Sequence, residues 1–154
     1  MSSRARRRQQ VIRGFRSERL RELRKAAGLR HSDLARMVDV GKNTPGNWER
    51  GESTPEVERL PILAEALGVS ISELVYVPAD ELMPSDLRVR LGIGPVRLAQ
   101  QVGISTTVLA DFERAANKWN SEYAQRIAPV LGVSFEELRE AWQRARTRPP
   151  GAPA

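Results

Sequence analysis

The chain has 154 residues, 40% of them hydrophobic, no cysteine and a formal net charge of +6. That length allows one ordinary domain or two small ones, and the lack of cysteine excludes a disulfide framework and a thiolate metal site. No apolar run approaches the roughly 20 residues that span a bilayer, and the basic start lacks the apolar segment of a signal peptide, so a cytoplasmic protein without membrane contact is expected.

Residues 1–14 read as a basic N-terminal arm. Within residues 1–30, eleven Lys or Arg face only Glu18 and Glu22, a balance of +9 that leaves the rest of the chain at −3. Such a block favours nucleic acid or an anionic surface. Arg6, Arg7 and Arg8 are its densest run. Ser17 is placed to cap a helix ending near Ala27, where Gly28 stops it. A second helix is expected from about His31 to Val38. A turn at Asp39 to Gly41 then leads into a third helix ending near Arg50. Thr54-Pro55 reads as the start of a fourth, which Gly68 terminates, and Ser70 to Glu73 has the capping-box pattern of a short fifth.

Residues 78–84 read as a linker with Pro78 and Pro84 near its ends. Ser85 is then placed to cap a new helix ending at Gly92. Gly94-Pro95 opens the next, Ser105 caps a third, Gly132 stops a fourth and Ser134 to Glu137 forms a second capping box. The last helix continues through Trp142 and Arg146 to Pro149-Pro150. The end, 148–154, is expected to be disordered.

These two halves share one plan because they share one pattern. At a constant offset of 64 residues, without a gap, Leu34-Ala35 falls on Leu98-Ala99, Trp48-Glu49-Arg50 on Phe112-Glu113-Arg114, and Leu67-Gly68-Val69-Ser70 on Leu131-Gly132-Val133-Ser134. A long period with two copies points to two small domains with separate cores, set at 15–77 and 85–147.

The run Gly28-Leu29, Leu34-Ala35, Val40, Trp48-Glu49-Arg50-Gly51, Pro55 and Leu67-Gly68-Val69-Ser70 resembles the phage-repressor (Cro/C1, or XRE) helix-turn-helix family. The second copy resembles it through Gly92-Ile93, Leu98-Ala99, Gly103 to Ser105, Phe112-Glu113-Arg114 and Leu131 to Ser134. The resemblance implies an all-α fold of two tandem five-helix, lambda-repressor-like domains. It also implies that an Arg on the first helix pairs with the Glu of the Glu-Arg motif: Arg24 with Glu49, and Arg88 with Glu113.

In this family the third helix enters the major groove. Carried over position by position, the base-facing places of the first copy are Lys42, Asn43 and Asn47, with Thr44 among them and His31 at the start of the second helix as a phosphate donor. Lys can donate to guanine O6 and N7, and Asn can make two bonds to adenine. Pro45 and Gly46 depart from a regular third helix. The conflict is resolved if Thr44 is the cap and Pro45 the first helical residue. Pro61 should likewise delay or kink the fourth helix.

The second copy is chemically poorer for reading bases. It offers Thr106 and Thr107 as a candidate second DNA site, with Asp111 opposite Asn47 and Pro95 opposite His31. Leu109 is a core candidate. Leu138, Ala141, Trp142 and Ala145 form an apolar stripe, so Leu138 and Trp142 are candidates for a protein interface.

With one His, no Cys and no phosphate loop, no catalytic constellation, metal site or cofactor is expected, and no small-molecule ligand is evident. The expected function is sequence-specific binding of double-stranded DNA by a transcriptional regulator, a repressor reading mainly with the first domain, with a homodimer as a candidate assembly. The competing reading is a protein-interaction module, an antitoxin or adaptor, whose helix-turn-helix copies bind a partner.

Overall fold

Two hydrophobic cores organise the chain. The computed structural model describes residues 11–154, and the chain divides into a unit at 1–76 and a unit at 77–154. The described residues are helical, with one isolated antiparallel bridge, Phe15 to Val75, as the only extended pairing among them.

Unit 1 contains α1 (Ser17–Ala26), α2 (His31–Met37), α3 (Thr44–Glu49) and α4 (Leu60–Leu67). In α1, Leu20, Leu23 and the stem of Arg24 fall on one face and are buried. Leu34 and Ala35 of α2, Trp48 of α3 and Leu60, Leu63 and Leu67 of α4 are also buried. Each fully buried aliphatic side chain contributes about 1.5–3 kcal/mol relative to exposure. The two ends of the unit are tied together: Arg16 N–H donates to the Leu74 carbonyl at 2.8 Å, and Tyr76 N–H to Gly14 at 2.9 Å.

Several expected caps are replaced by other contacts. Ser17 is already helical, and Arg16 holds the cap position without a side-chain bond. Thr54 is buried, and its hydroxyl accepts the Ile12 N–H at 2.9 Å instead of capping a helix. A 3₁₀ turn at Val57–Arg59 leads into α4, with Pro61 in its first turn, where a missing N–H costs nothing. The expected fifth helix is a 3₁₀ turn, Ile71–Glu73. Its capping box does not form: Ser70 bonds Ser72, and Glu73 accepts from Arg19 at 2.9 Å. Part of the stretch expected as an arm joins the fold: Ile12 is buried, and residues 14–16 join the tie described above. Arg6, Arg7 and Arg8 lie outside the described residues.

Unit 2 contains α5 (Pro84–Val89), α6 (Pro95–Val102), α7 (Thr106–Glu113), α8 (Ser121–Leu131) and α9 (Phe135–Thr147). The stretch expected as a linker opens this unit: Leu82 and Met83 pack on its core, and Arg144 donates to the Leu82 carbonyl at 2.9 Å. Ser85 does not cap α5, because Asp86 reaches back to the Met83 N–H at 2.8 Å. Ser105 caps α7 through the Val108 N–H, and Ser134 with Glu137 forms a complete capping box on α9. Pro129 sits inside α8.

The stripe on α9 faces inward. Leu138, Ala141 and Ala145 are at most 1% exposed and Trp142 is 9% exposed, all in the core of unit 2. Leu138 and Trp142 are therefore core residues and not an interface. Trp119, in the loop before α8, explains why: its ring lies 5.4 Å from that of Trp142, 5.6 Å from Phe135 and 5.7 Å from Phe112. The tail is ordered too, since Arg148 donates to the Ala152 carbonyl at 3.0 Å and Ala154 packs against the core.

Candidate nucleic-acid interface

The candidate elements of unit 1 are α2, the turn after it and α3. Two buried residues of α2, Leu34 and Ala35, fix its inner face; the small Ala35 allows α3 close approach. The turn needs a left-handed residue, and Asp39 supplies it at φ 56°. Val40 N–H returns to the Ala35 carbonyl at 3.0 Å. Arg59, from the turn before α4, donates to the carbonyls of Val38 and Asp39 and pins the turn from outside.

Helix α3 is only six residues long. Thr44 N–H donates to Gly41 at 2.9 Å, so the chain enters the helix through a tight turn. Pro45 is the second helical residue, one place later than expected, where its missing N–H breaks no helical bond. Pro45 and Gly46 are both buried. Lys42 and Asn43 are exposed in the turn that precedes the helix, and Thr44 is half-buried.

Asn47 is less free than its position suggests. Its Oδ1 accepts from Arg50 Nη2 at 2.5 Å. Two bonds to one adenine need both the oxygen and the amino group of Asn, so Asn47 would share its oxygen between Arg50 and a base. Arg50 also donates to Glu52 at 3.0 Å and remains 57% exposed. A Cβ on Gly46 would lie 3.0 Å from Arg50 Nη1, so this glycine makes room for the guanidinium across α3. Sequence reasoning did not single out Arg50. The signal available was a glycine four residues before an arginine, on the same face of a helix.

Behind this surface lies a buried charge cluster. Arg24 Nε donates to Glu49 Oε1 at 2.6 Å, and its Nη1 donates to the Leu29 carbonyl at 2.9 Å. Glu49 has a second partner, since His31 Nε2 bonds its other oxygen. Placed as a phosphate donor by resemblance, His31 thus has one ring nitrogen committed inward and a side chain still 46% exposed. Burial pushes the Glu49 carboxyl up, but the bonds from Arg24 and His31 outweigh it and hold the group below the usual range.

At the 64-residue offset, the matching positions of unit 2 carry different chemistry. Gly103 takes the left-handed place of Asp39 at φ 73°. Helix α7 has eight residues, with Leu109 and Phe112 buried, and Thr106 and Thr107 exposed at its start. Asp111 accepts from Arg114 at 2.9 Å, the counterpart of the bond between Asn47 and Arg50. Arg88 Nε donates to both oxygens of Glu113, at 3.3 and 3.1 Å, and its Nη1 to the Ile93 carbonyl at 3.0 Å. Pro95 stands where His31 would supply a second donor. Burial therefore wins over Arg88, helped by the nearby Asp86, and pushes the Glu113 carboxyl above its usual range.

This arrangement, two helices joined by a tight turn with the second presented outward, is that of a helix-turn-helix. The helix-turn-helix family model matches residues 20–74, all within unit 1. The chain is 36% identical over 75 residues to the cryptic phage CTXphi transcriptional repressor RstR of Vibrio cholerae, covering 47% of this chain and 68% of that protein. It is 38% identical over 58 residues to the HTH-type transcriptional regulator DdrOP3 of Deinococcus deserti, covering 38% of this chain and 45% of that protein. It is 33% identical over 63 residues to the uncharacterized HTH-type transcriptional regulator YobD of Bacillus subtilis, covering 41% of this chain and 56% of that protein. The chain thus spans about two thirds of the first relative and about half of the other two. No solved structure matches it. The chain belongs to the helix-turn-helix family. Among the described residues, no helix is long and apolar enough to cross a membrane.

Proposed function

We propose that the chain is a sequence-specific, double-stranded DNA-binding regulator of transcription, a repressor, whose unit 1 does most of the reading. The observation that carries this is the exposure of Lys42 and Asn43 at the entrance to α3, on a helix-turn-helix whose rear is pinned by Arg24, His31 and Glu49. A rigid rear matters because base contacts tolerate little misplacement. Three relatives named as transcriptional regulators, one of them a repressor, support the same reading.

Unit 2 is proposed as a second helix-turn-helix domain, related to unit 1 by the 64-residue repeat. Its exposed threonines are short, and its Asp111 is held by Arg114, so its share of base reading is small. Charge follows the same order: unit 1 carries +5 and unit 2 carries +1. The apolar stripe expected as a protein interface lies in a core, which removes that support for protein contacts by unit 2. Neither unit is proposed to be an enzyme.

The test is selection of bound sequences from a random duplex pool, followed by affinity measurement of the selected and the random duplex across a salt series. A regulator enriches a motif and weakens steeply with salt, with a slope near −0.9 per phosphate contacted. Replacing Arg6, Arg7 and Arg8 together by Ala should make that slope shallower. No enrichment and no salt dependence would refute the proposal.

A further inference from the structure

A partly enclosed cavity of about 270 Å³ opens in unit 2 between α7, the loop at 117–120 and the start of α8. We infer that it is a binding site for a small organic anion with a flat apolar body, such as an aromatic carboxylate. The inference is independent of the DNA-binding proposal.

The walls define that chemistry. Phe112 and Trp142, both at most 9% exposed, line its buried part, and Tyr123 is a third aromatic residue of the lining. Rings stacked or set edge-on against a flat ligand favour it beyond area burial alone. The rim is polar. Lys118 lines the opening, is exposed and has no carboxylate partner among the described residues. Asp111, the acidic group of the lining, is neutralised by Arg114 at 2.9 Å. Asn117 adds a neutral amide. The site therefore combines an apolar floor, one unpaired cation at the mouth and a carboxylate already satisfied. A few placed polar groups over an apolar floor are what small-molecule sites offer, and this volume, just under their usual range of about 300–1,000 Å³, suits a ligand of one or two rings.

The place in unit 1 that matches Lys118 is occupied differently. At the 64-residue offset, Lys118 corresponds to Thr54. In unit 1 that place is covered by the chain itself: Thr54 is buried and takes the Ile12 N–H. In unit 2 the same place carries an exposed lysine beside an opening.

The test uses the full chain with benzoate and phenylacetate as probes, read by amide chemical shifts and by calorimetry. Saturable binding is expected, with shifts centred on Asn117, Lys118 and Tyr123. Lys118→Gln, a change at an exposed site, should weaken binding about tenfold or more. Val108→Trp, which fills the cavity from α7, should abolish it. Inorganic phosphate and a random DNA duplex serve as further arms. No saturable binding of either probe, or equal affinity in Lys118→Gln, would overturn the inference. So would shifts at these residues produced by phosphate or duplex as strongly as by benzoate, which would make Lys118 a simple phosphate contact.

Discussion

The two copies of the repeat differ at single residues in ways that measurements on the intact chain can separate. Gly103 lies at φ 73°, and a Cβ there would find only Arg126 Nη1 at 3.9 Å, an ordinary contact. Gly103→Ala should therefore cost unit 2 about 1–2 kcal/mol through the backbone alone. Asp39, exposed at φ 56°, is the mirror case: Asp39→Gly should raise the stability of unit 1 by up to about 1 kcal/mol. Thermal unfolding followed through resolved amide signals of each unit reports both. The two buried glutamates make a pH prediction of opposite sign. Because the folded-state pKa of Glu49 is lowered, its contribution is present above the unfolded value and is lost as pH falls through the folded one. Because that of Glu113 is raised, its ionisation destabilises unit 2 above the folded value, and acidification relieves the cost. In a pH titration of stability, Glu49→Gln should remove part of the acid sensitivity of unit 1 and cost it roughly 1–3 kcal/mol near neutrality. Glu113→Gln should cost unit 2 less. Equal losses would show that His31 adds nothing to Glu49.

At the scale of elements, α8 carries a clear liability. Pro129 is exposed, inside the helix, and removes one backbone hydrogen bond. Pro129→Ala should stabilise unit 2 by about 1–3 kcal/mol, read from denaturant unfolding with an unchanged slope. A loss of stability would mean that the proline ring makes packing contacts worth more than the missing bond. The positions of most helices were legible in the sequence because hydrophobic spacing and the glycines at 28, 68, 92 and 132 are local signals. The caps were legible only where the side chain had no better partner. Ser105 and Ser134 cap their helices, whereas Thr54 is taken by Ile12 and Glu73 by Arg19, contacts that join residues 42 and 54 positions apart. The direction of the α9 stripe was illegible for a similar reason. A stripe of Leu and Trp looks the same whether a partner or its own core covers it, and the ring that decides, Trp119, comes from a loop. In the site, Arg24 and Glu49 could be named by resemblance. The inward turn of His31 and the hold of Arg50 on Asn47 depend on how α2 and α3 pack.

For the whole molecule, the proposed function makes the two units unequal, with base reading concentrated in the first. Removing Lys42 or Asn43 leaves both cores untouched, since both side chains are exposed. Each good base contact is worth about 1–3 kcal/mol of discrimination. The contrasting pair, Thr106 and Thr107, is equally exposed but offers only short hydroxyls beside a tied Asp111. The decisive measurement is the ratio of affinities for the selected duplex and a random duplex, at one salt concentration, for Lys42→Ala, Asn43→Ala, Thr106→Ala and Thr107→Ala. The ratio should fall about fivefold or more for each of the first two and change less than twofold for each of the last two. Equal losses from both pairs would contradict this and make the chain a covalent pseudo-dimer in which both units read bases.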